Sequence, residues 1–166
     1  MSGLRIVNDP HAPESLKQVV RDHLDTYNVA VTGLPEYSSV SIFLKDSNDE
    51  VLGGVLGSIW GGWVHIAFLW VAEPLRRQGH GRTLLEAAER YAVERGCHAA
   101  QLETFSFQAP DFYAKHGYEV FSVLDGWPPG HTKYFLRKRR RRGSVTAAEA
   151  KPLRGPLRSR RVTEGP

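Results

Sequence analysis

The sequence predicts an α/β protein, one domain in which a mixed β-sheet carries helices on its faces. Three observations lead there. The chain has 166 residues, the size of one ordinary domain able to bury a real core. Its 41% hydrophobic and 24% charged residues give the balance of a globular protein. Short β-rich runs alternate with segments of helical periodicity, in the order β-α-β-β-β-α-β-α-β-β, with no internal repeat.

Taken in order, "LRIV" at residues 4–7 is a short apolar run that reads as a first strand. "APESLKQVVRDHLDTYNVAVTG" places Leu16, Val19, Val20, His23, Leu24 and Tyr27 at helical spacing, and Pro13 and Glu14 suit a helix start. "YSSVSIFLKD" and "EVLGGVLGSIW" read as a hairpin about the turn cluster "SNDE". Gly61 and Gly62 offer a second tight turn into "GWVHIAFLWVAE", whose near-continuous apolar character suits a central strand covered on both faces. The next helix has Leu84, Leu85, Ala88, Tyr91 and Ala92 on one side and Glu86, Glu89, Arg90 and Glu94 on the other, with Gly96 at its end. "HAAQLETFSF" is a strand, and "QAPDFYAKHG" a short helix opened by Pro110 and Asp111 and stopped by Gly117. "YEVFSVL" and "TKYFLRK" are the last strands, separated by the long turn "DGWPPGH".

Charge divides the chain. The net charge is +4, yet residues 137–166 hold 11 of the 22 Lys and Arg with only Glu149 and Glu164 against them, for +9. Residues 1–136 carry −5, so a mildly acidic body precedes a strongly basic segment. From residue 139 the sequence "RRRRGSVTAAEAKPLRGPLRSRRVTEGP" combines breakers, positive charge and little apolar content, the composition of a disordered tail, and the domain boundary falls near residue 138. No aromatic residue is interleaved there for base stacking, so specific single-strand recognition is not expected, and a solvated extension is the first reading ahead of nucleic-acid contact through its charge. The single cysteine, Cys97, excludes an internal disulfide framework and reads as a small packed residue. The seven histidines lack paired ligand spacing, so no metal is expected. No secretory leader pattern and no apolar run near the roughly 18 residues of a membrane span are visible. A cytoplasmic protein without a membrane span is the expectation.

The chemistry concentrates in "PLRRQGHGRT", residues 74–83. Arg76, Arg77, His80 and Arg82 crowd the start of a helix, and no carboxylate lies between Glu73 and Glu86. Helix N-termini carry partial positive charge and attract acids, so this arrangement points to an anion that the chain itself does not supply. Gly79 and Gly81 let a ligand approach the backbone closely, and successive amides there can cradle a phosphate. A Walker A loop is excluded because Gly81 is followed by Arg82 and Thr83, and a dinucleotide fingerprint because position 84 is Leu.

The stretch "VAEPLRRQGHGRTLL" closely resembles the acyl-CoA-binding motif of the GCN5-related N-acetyltransferases, Arg/Gln-x-x-Gly-x-Gly/Ala, with Arg76, Gly79 and Gly81 at its defined positions. "QAPDFYAKHGYEVF" resembles the second motif of that family, and the likeness runs over roughly residues 4–138. It implies a mixed, mostly antiparallel sheet of six to seven strands, splayed at its central parallel pair, with acetyl-CoA as co-substrate in the gap. The coenzyme would meet Leu69, Trp70 and Val71 along the pantetheine arm, and Arg76, Arg77, Gln78, Gly79, His80, Gly81, Arg82 and Thr83 at the pyrophosphate. Gln108 stands near the family's pantetheine-binding Asn. The Val71 amide is the candidate oxyanion donor, Tyr113 the candidate acid for the departing thiolate, and Glu103 the candidate base for the amine.

Two of these roles have plain structural alternatives: Tyr113 as a packed core ring and Glu103 as an ion-paired strand carboxylate. His65, His131 and Trp127 read first as core or turn residues, with Trp127 also placed to line an acceptor site. The function implied is transfer of an acetyl group to a primary amine of a small molecule, an antibiotic or a metabolite. Acetylation of a protein lysine or N-terminus is the alternative within the same chemistry. A coenzyme A-binding or nucleic-acid-associated protein without catalysis is the alternative outside it. Self-association as a homodimer stays open.

Overall fold

The structure, a computed structural model, describes residues 3–35 and 37–140. The basic tail expected from residue 139 lies, from residue 141 onward, outside the described residues. The elements are α1 (Glu14–Thr32), β1 (Ser38–Lys45), β2 (Val51–Trp60), β3 (Trp63–Val71), α2 (His80–Glu94), β4 (Ala99–Phe105), α3 (Pro110–Lys115), β5 (Glu119–Asp125) and β6 (Thr132–Arg139). The six strands form one sheet in the order β1-β2-β3-β4-β6-β5, and of the neighbouring pairs only β3 and β4 run parallel.

Local chemistry sets the turns. Between β1 and β2, the Asp46 carboxylate accepts from the amides of Asn48 and Glu50, both at 2.9 Å, which closes the "SNDE" turn. Gly61 and Gly62 both have positive φ, 57° and 79°, as a two-residue hairpin between twisted strands requires. Gly117, with φ 84°, stops α3.

The core lies between the sheet and α2. Leu84, Leu85, Ala88 and Ala92 of α2 are buried against Val40, Val55, Val64, Ile66, Leu102 and Leu136 of five different strands. Glu89, read from sequence as part of a solvated face, instead ties the helix down. It accepts from Lys138 of β6 at 2.7 Å and from the Tyr118 hydroxyl at 3.0 Å. Burial, and then the Glu89 charge, push the Tyr118 phenol well above its ordinary value, so it stays a hydrogen-bond donor at neutral pH. Cys97 packs in the core, where burial pushes its thiol up as well.

Three expectations need correction. "LRIV" forms no strand: residues 3–9 have no regular structure, and Leu4 and Ile6 are fully exposed because no strand pairs with them. The strand β3 is covered on one face only, with Phe68 68% and Trp70 51% exposed on the other. The helix α1 forms as its periodicity predicts, yet buries none of its residues. Among the described residues, no helix is long and apolar enough to cross a membrane.

Candidate active site

The sheet opens where its parallel pair ends. β3 and β4 are joined only from Trp63↔Ala99 to Ile66↔Leu102, and beyond that point the strands are no longer bonded to each other. The break coincides with an irregularity in the β2–β3 register between Leu56 and Gly57, where Leu56 faces Phe68 but Gly57 faces Ile66. Ala67 is the extra residue of that bulge, and a bulge bends a strand and increases its twist. Residues 67–71 of β3 and 103–105 of β4 therefore border a gap in the sheet.

Alternation of the antiparallel ladder decides which amides face that gap. The Ala72 amide donates to the Leu52 carbonyl at 2.8 Å, so Ala72 and, two residues back, Trp70 turn their backbone groups toward β2. Leu69 and Val71 consequently turn theirs away from β2, into the gap. The Val71 carbonyl is already engaged, accepting from Arg76 Nε at 3.0 Å. The Val71 amide faces the gap on the same side.

The amino end of α2 stands at the edge of this gap. After β3 the chain makes a short 3-10 turn, Glu73–Leu75, and a tight turn through residues 76–79. Arg77 has φ 62°, an uncommon conformation for a residue with a Cβ, and Gly79 has φ 89°. Gly79 caps α2 without any side-chain bond, and the first turn holds no acid. The first helical bond runs from the Thr83 amide to the Gly79 carbonyl at 3.0 Å, which leaves earlier amides directed outward along the axis. A Cβ on Gly81 would lie 3.6 Å from the Phe112 ring and 4.0 Å from a Leu69 methyl. Three separate elements (α2, α3 and β3) thus meet around Gly81.

Several residues expected at a ligand are engaged with the protein itself. Arg76 holds Val71, and Gln78 donates to the Pro74 carbonyl at 2.7 Å. Arg82 pairs with Glu86 at 2.7 Å, which lowers the Glu86 carboxyl below its usual range. Gln108 accepts from the Thr104 hydroxyl and the Phe105 amide, both at 3.1 Å, and so closes the turn after β4. Trp70 turns its ring to the face of the sheet away from α2, like Phe68.

Tyr113 of α3 is 8% exposed and packs edge-on against Phe112 and Tyr118, with ring centroids 5.1 and 5.9 Å apart. Every sealed-in side-chain polar atom among the described residues has a partner, and no hydrogen bond holds the Tyr113 hydroxyl, so that oxygen is accessible. Burial raises the phenol above its ordinary value and keeps it protonated at neutral pH.

On the other face of the sheet, the Glu103 carboxylate lies 2.5 Å from Lys133 Nζ. The sequence offered no warning of Lys133 beyond its place in a strand. Its ammonium is largely buried, 4.4 Å from the Trp127 ring centroid and 5.2 and 5.6 Å from those of Phe135 and Phe105. His131 joins this cluster through Ser106 Oγ at 3.4 Å and an edge contact with Phe107. Removing the Glu103 charge would leave the Lys133 ammonium unpaired. Glu103→Gln is therefore expected to destabilise the fold by about 1–3 kcal/mol, read as a lower melting temperature. Among the described residues, no cluster of three or more His, Cys, Asp or Glu side chains gathers as a metal site.

The chain thus combines a splayed mixed sheet with a glycine-turned, acid-free helix end at the edge of its gap, in an α/β architecture. Residues 10–118 match the profile of the acetyltransferase (GNAT) family, and the chain belongs to that family. It is 30% identical over 128 residues to an acetyltransferase of Agrobacterium fabrum, covering 77% of this chain and 93% of the relative. It is 40% identical over 90 residues to blasticidin-S acetyltransferase of Streptomyces morookaense, covering 54% of this chain and 66% of the relative. The crystal structure of an acetyltransferase from Bacillus cereus superposes with a TM-score of 0.70 at 34% identity, over 81% of this chain and 98% of that one.

Proposed function

We propose that the chain is an acetyl-CoA-dependent N-acetyltransferase that acetylates a primary amine of a small molecule. The observation that supports this reading is the meeting of the acid-free amino end of α2, the gap-bordering strand β3 and, through Phe112, the helix α3 that carries Tyr113, all around Gly81. The site fits the coenzyme on its own chemistry. Outward amides of Gln78–Arg82 and the Arg77 guanidinium would hold the pyrophosphate, and the absent side chain of Gly81 leaves the close approach open. Acetyl-CoA, when bound, supplies an activated acyl group on sulfur.

The remaining roles belong to this chain. The backbone of Leu69, Trp70 and Val71 would align the pantetheine arm as an added strand does, with Leu69 and Val71 offering groups to the gap. The Val71 amide would stabilise negative charge developing on the carbonyl oxygen. As the amine nitrogen bonds to the carbonyl carbon and the carbon–sulfur bond breaks, Tyr113 would give its proton to the leaving thiolate. Glu103 would draw in a cationic amine and take its proton, directly or through water. Turnover of Glu103→Gln should recover as rising pH supplies neutral amine, which no longer needs a base to take its proton.

A small amine of the antibiotic class is the acceptor we favour, because of the 40% identity over 90 residues to an enzyme named for blasticidin S. The −5 charge of the body is compatible with a cationic acceptor. The test is thiol release from acetyl-CoA across a panel containing nucleoside and aminoglycoside antibiotics, polyamines, amino acids and lysine peptides. The expected result is turnover of a small amine well above any peptide. Turnover of peptides alone would overturn the choice of acceptor.

A further inference from the structure

Among the described residues, one helix and one face of the sheet are left bare. α1 turns Leu16, Val20, Leu24, Tyr27 and Val31 to one side, and each is more than half exposed. Of the half-buried positions of α1, Asp25 and Val29 lie on the opposite side and Asn28 beside the stripe. The apolar stripe therefore points outward. Helices of this kind draw most of their stability in proteins from packing such a stripe, so it requires a cover.

The sheet offers a matching surface on the face away from α2. In one cross-strand row Phe43 and Trp70 flank Gly54, and in the next Leu56 lies opposite Phe68. All four side chains are exposed, and a Cβ on Gly54 would come within 3.2 Å of the Phe43 ring. Tyr37, also exposed, stacks on Trp60 at 5.2 Å on the same strand. Contiguous apolar surface of this extent marks an interaction site.

We propose that two copies of the chain form a two-fold dimer in which α1 of each lays its apolar stripe across the Phe43–Trp70 face of the other. A second copy is the occupant because each chain carries both halves of the contact. One symmetric exchange covers both and leaves no half unpaired, as an isologous interface requires. The outward direction of the stripe points to another molecule as its cover. Helix and sheet face together would bury on the order of 1,000 Å² per chain, above crystal contacts and in the range of stable dimers. Glu103 lies on this same face, so the helix of the second copy would wall the gap on the amine side. The dimer stands or falls independently of acetyl transfer, because its test needs neither coenzyme nor acceptor.

The experiment is sedimentation equilibrium of the full chain, with disulfide trapping. The expected mass is twice that of the chain, and Leu24→Glu should halve it while circular dichroism stays unchanged. Chains carrying Leu24→Cys, mixed with chains carrying Phe43→Cys and oxidised, should give a disulfide-linked pair on a non-reducing gel. A single-chain mass for the unaltered protein would overturn the proposal. So would closure on itself of a chain carrying both Leu24→Cys and Phe43→Cys, or cross-linking of Leu24→Cys only to another Leu24→Cys.

Discussion

Tyr113→Phe is expected to lower turnover by about 100-fold or more, the scale of a lost general acid, with little change in the KM for acetyl-CoA. The substitution removes one oxygen and keeps the ring that packs on Phe112 and Tyr118. Among the described residues the hydroxyl has no hydrogen-bond partner to lose, so stability should change by less than about 1 kcal/mol. The sign of the phenol's shift matters. Burial raises it, which keeps the donor form populated through neutral pH and makes the proton harder to release. At ordinary values near 10 and 8.5, transfer from phenol to thiolate is already about 2 kcal/mol uphill. The donation must therefore accompany carbon–sulfur cleavage, when charge on sulfur is growing. Full turnover in Tyr113→Phe, measured by thiol release, would return this residue to a packing role.

Gly81→Asp is expected to move stability and coenzyme affinity in opposite directions. A carboxylate in the first turn of α2 meets the positive end of the helix dipole, where no acid now stands, for a gain of about 0.3–1 kcal/mol. Replacing glycine within a helix adds a few tenths of a kcal/mol more. The new Cβ fits, at ordinary contact distance from Phe112. The same charge would stand against the pyrophosphate, and a penalty of about 3 kcal/mol corresponds to roughly 100-fold weaker binding. Gly81→Ala is the control, with the volume but without the charge. A turn that serves only to connect strand and helix would yield the stability gain with unaltered acetyl-CoA affinity.

The sheet was legible because its turns are written in single residues. The cluster "SNDE", the pair Gly61–Gly62, and Gly117 each mark one local turn, and the strands between them follow. The anion-binding turn was legible for a similar reason, since arginines without acids at a helix start are an electrostatic anomaly that needs no tertiary knowledge. What sequence could not reveal depends on partners distant in the chain. The ion pair of Glu103 with Lys133 joins residues 30 positions apart, through the pairing of β4 with β6. The engagement of Arg76 with the Val71 carbonyl and of Gln78 with the Pro74 carbonyl follows from the path of one tight turn. The periodicity of α1 predicts a helix with an apolar side, and periodicity carries no information about which molecule covers it.

The most direct test of the central reading is the melting temperature of the unaltered protein with and without acetyl-CoA. Present at about 100 times its Kd, a ligand of the folded state adds roughly 2.7 kcal/mol of stability. For a domain of this size that is a rise of about 5–10 °C, and Gly81→Asp should abolish most of it. No rise with acetyl-CoA at millimolar concentration would contradict the assignment of the α2 turn and the β3–β4 gap as the coenzyme site.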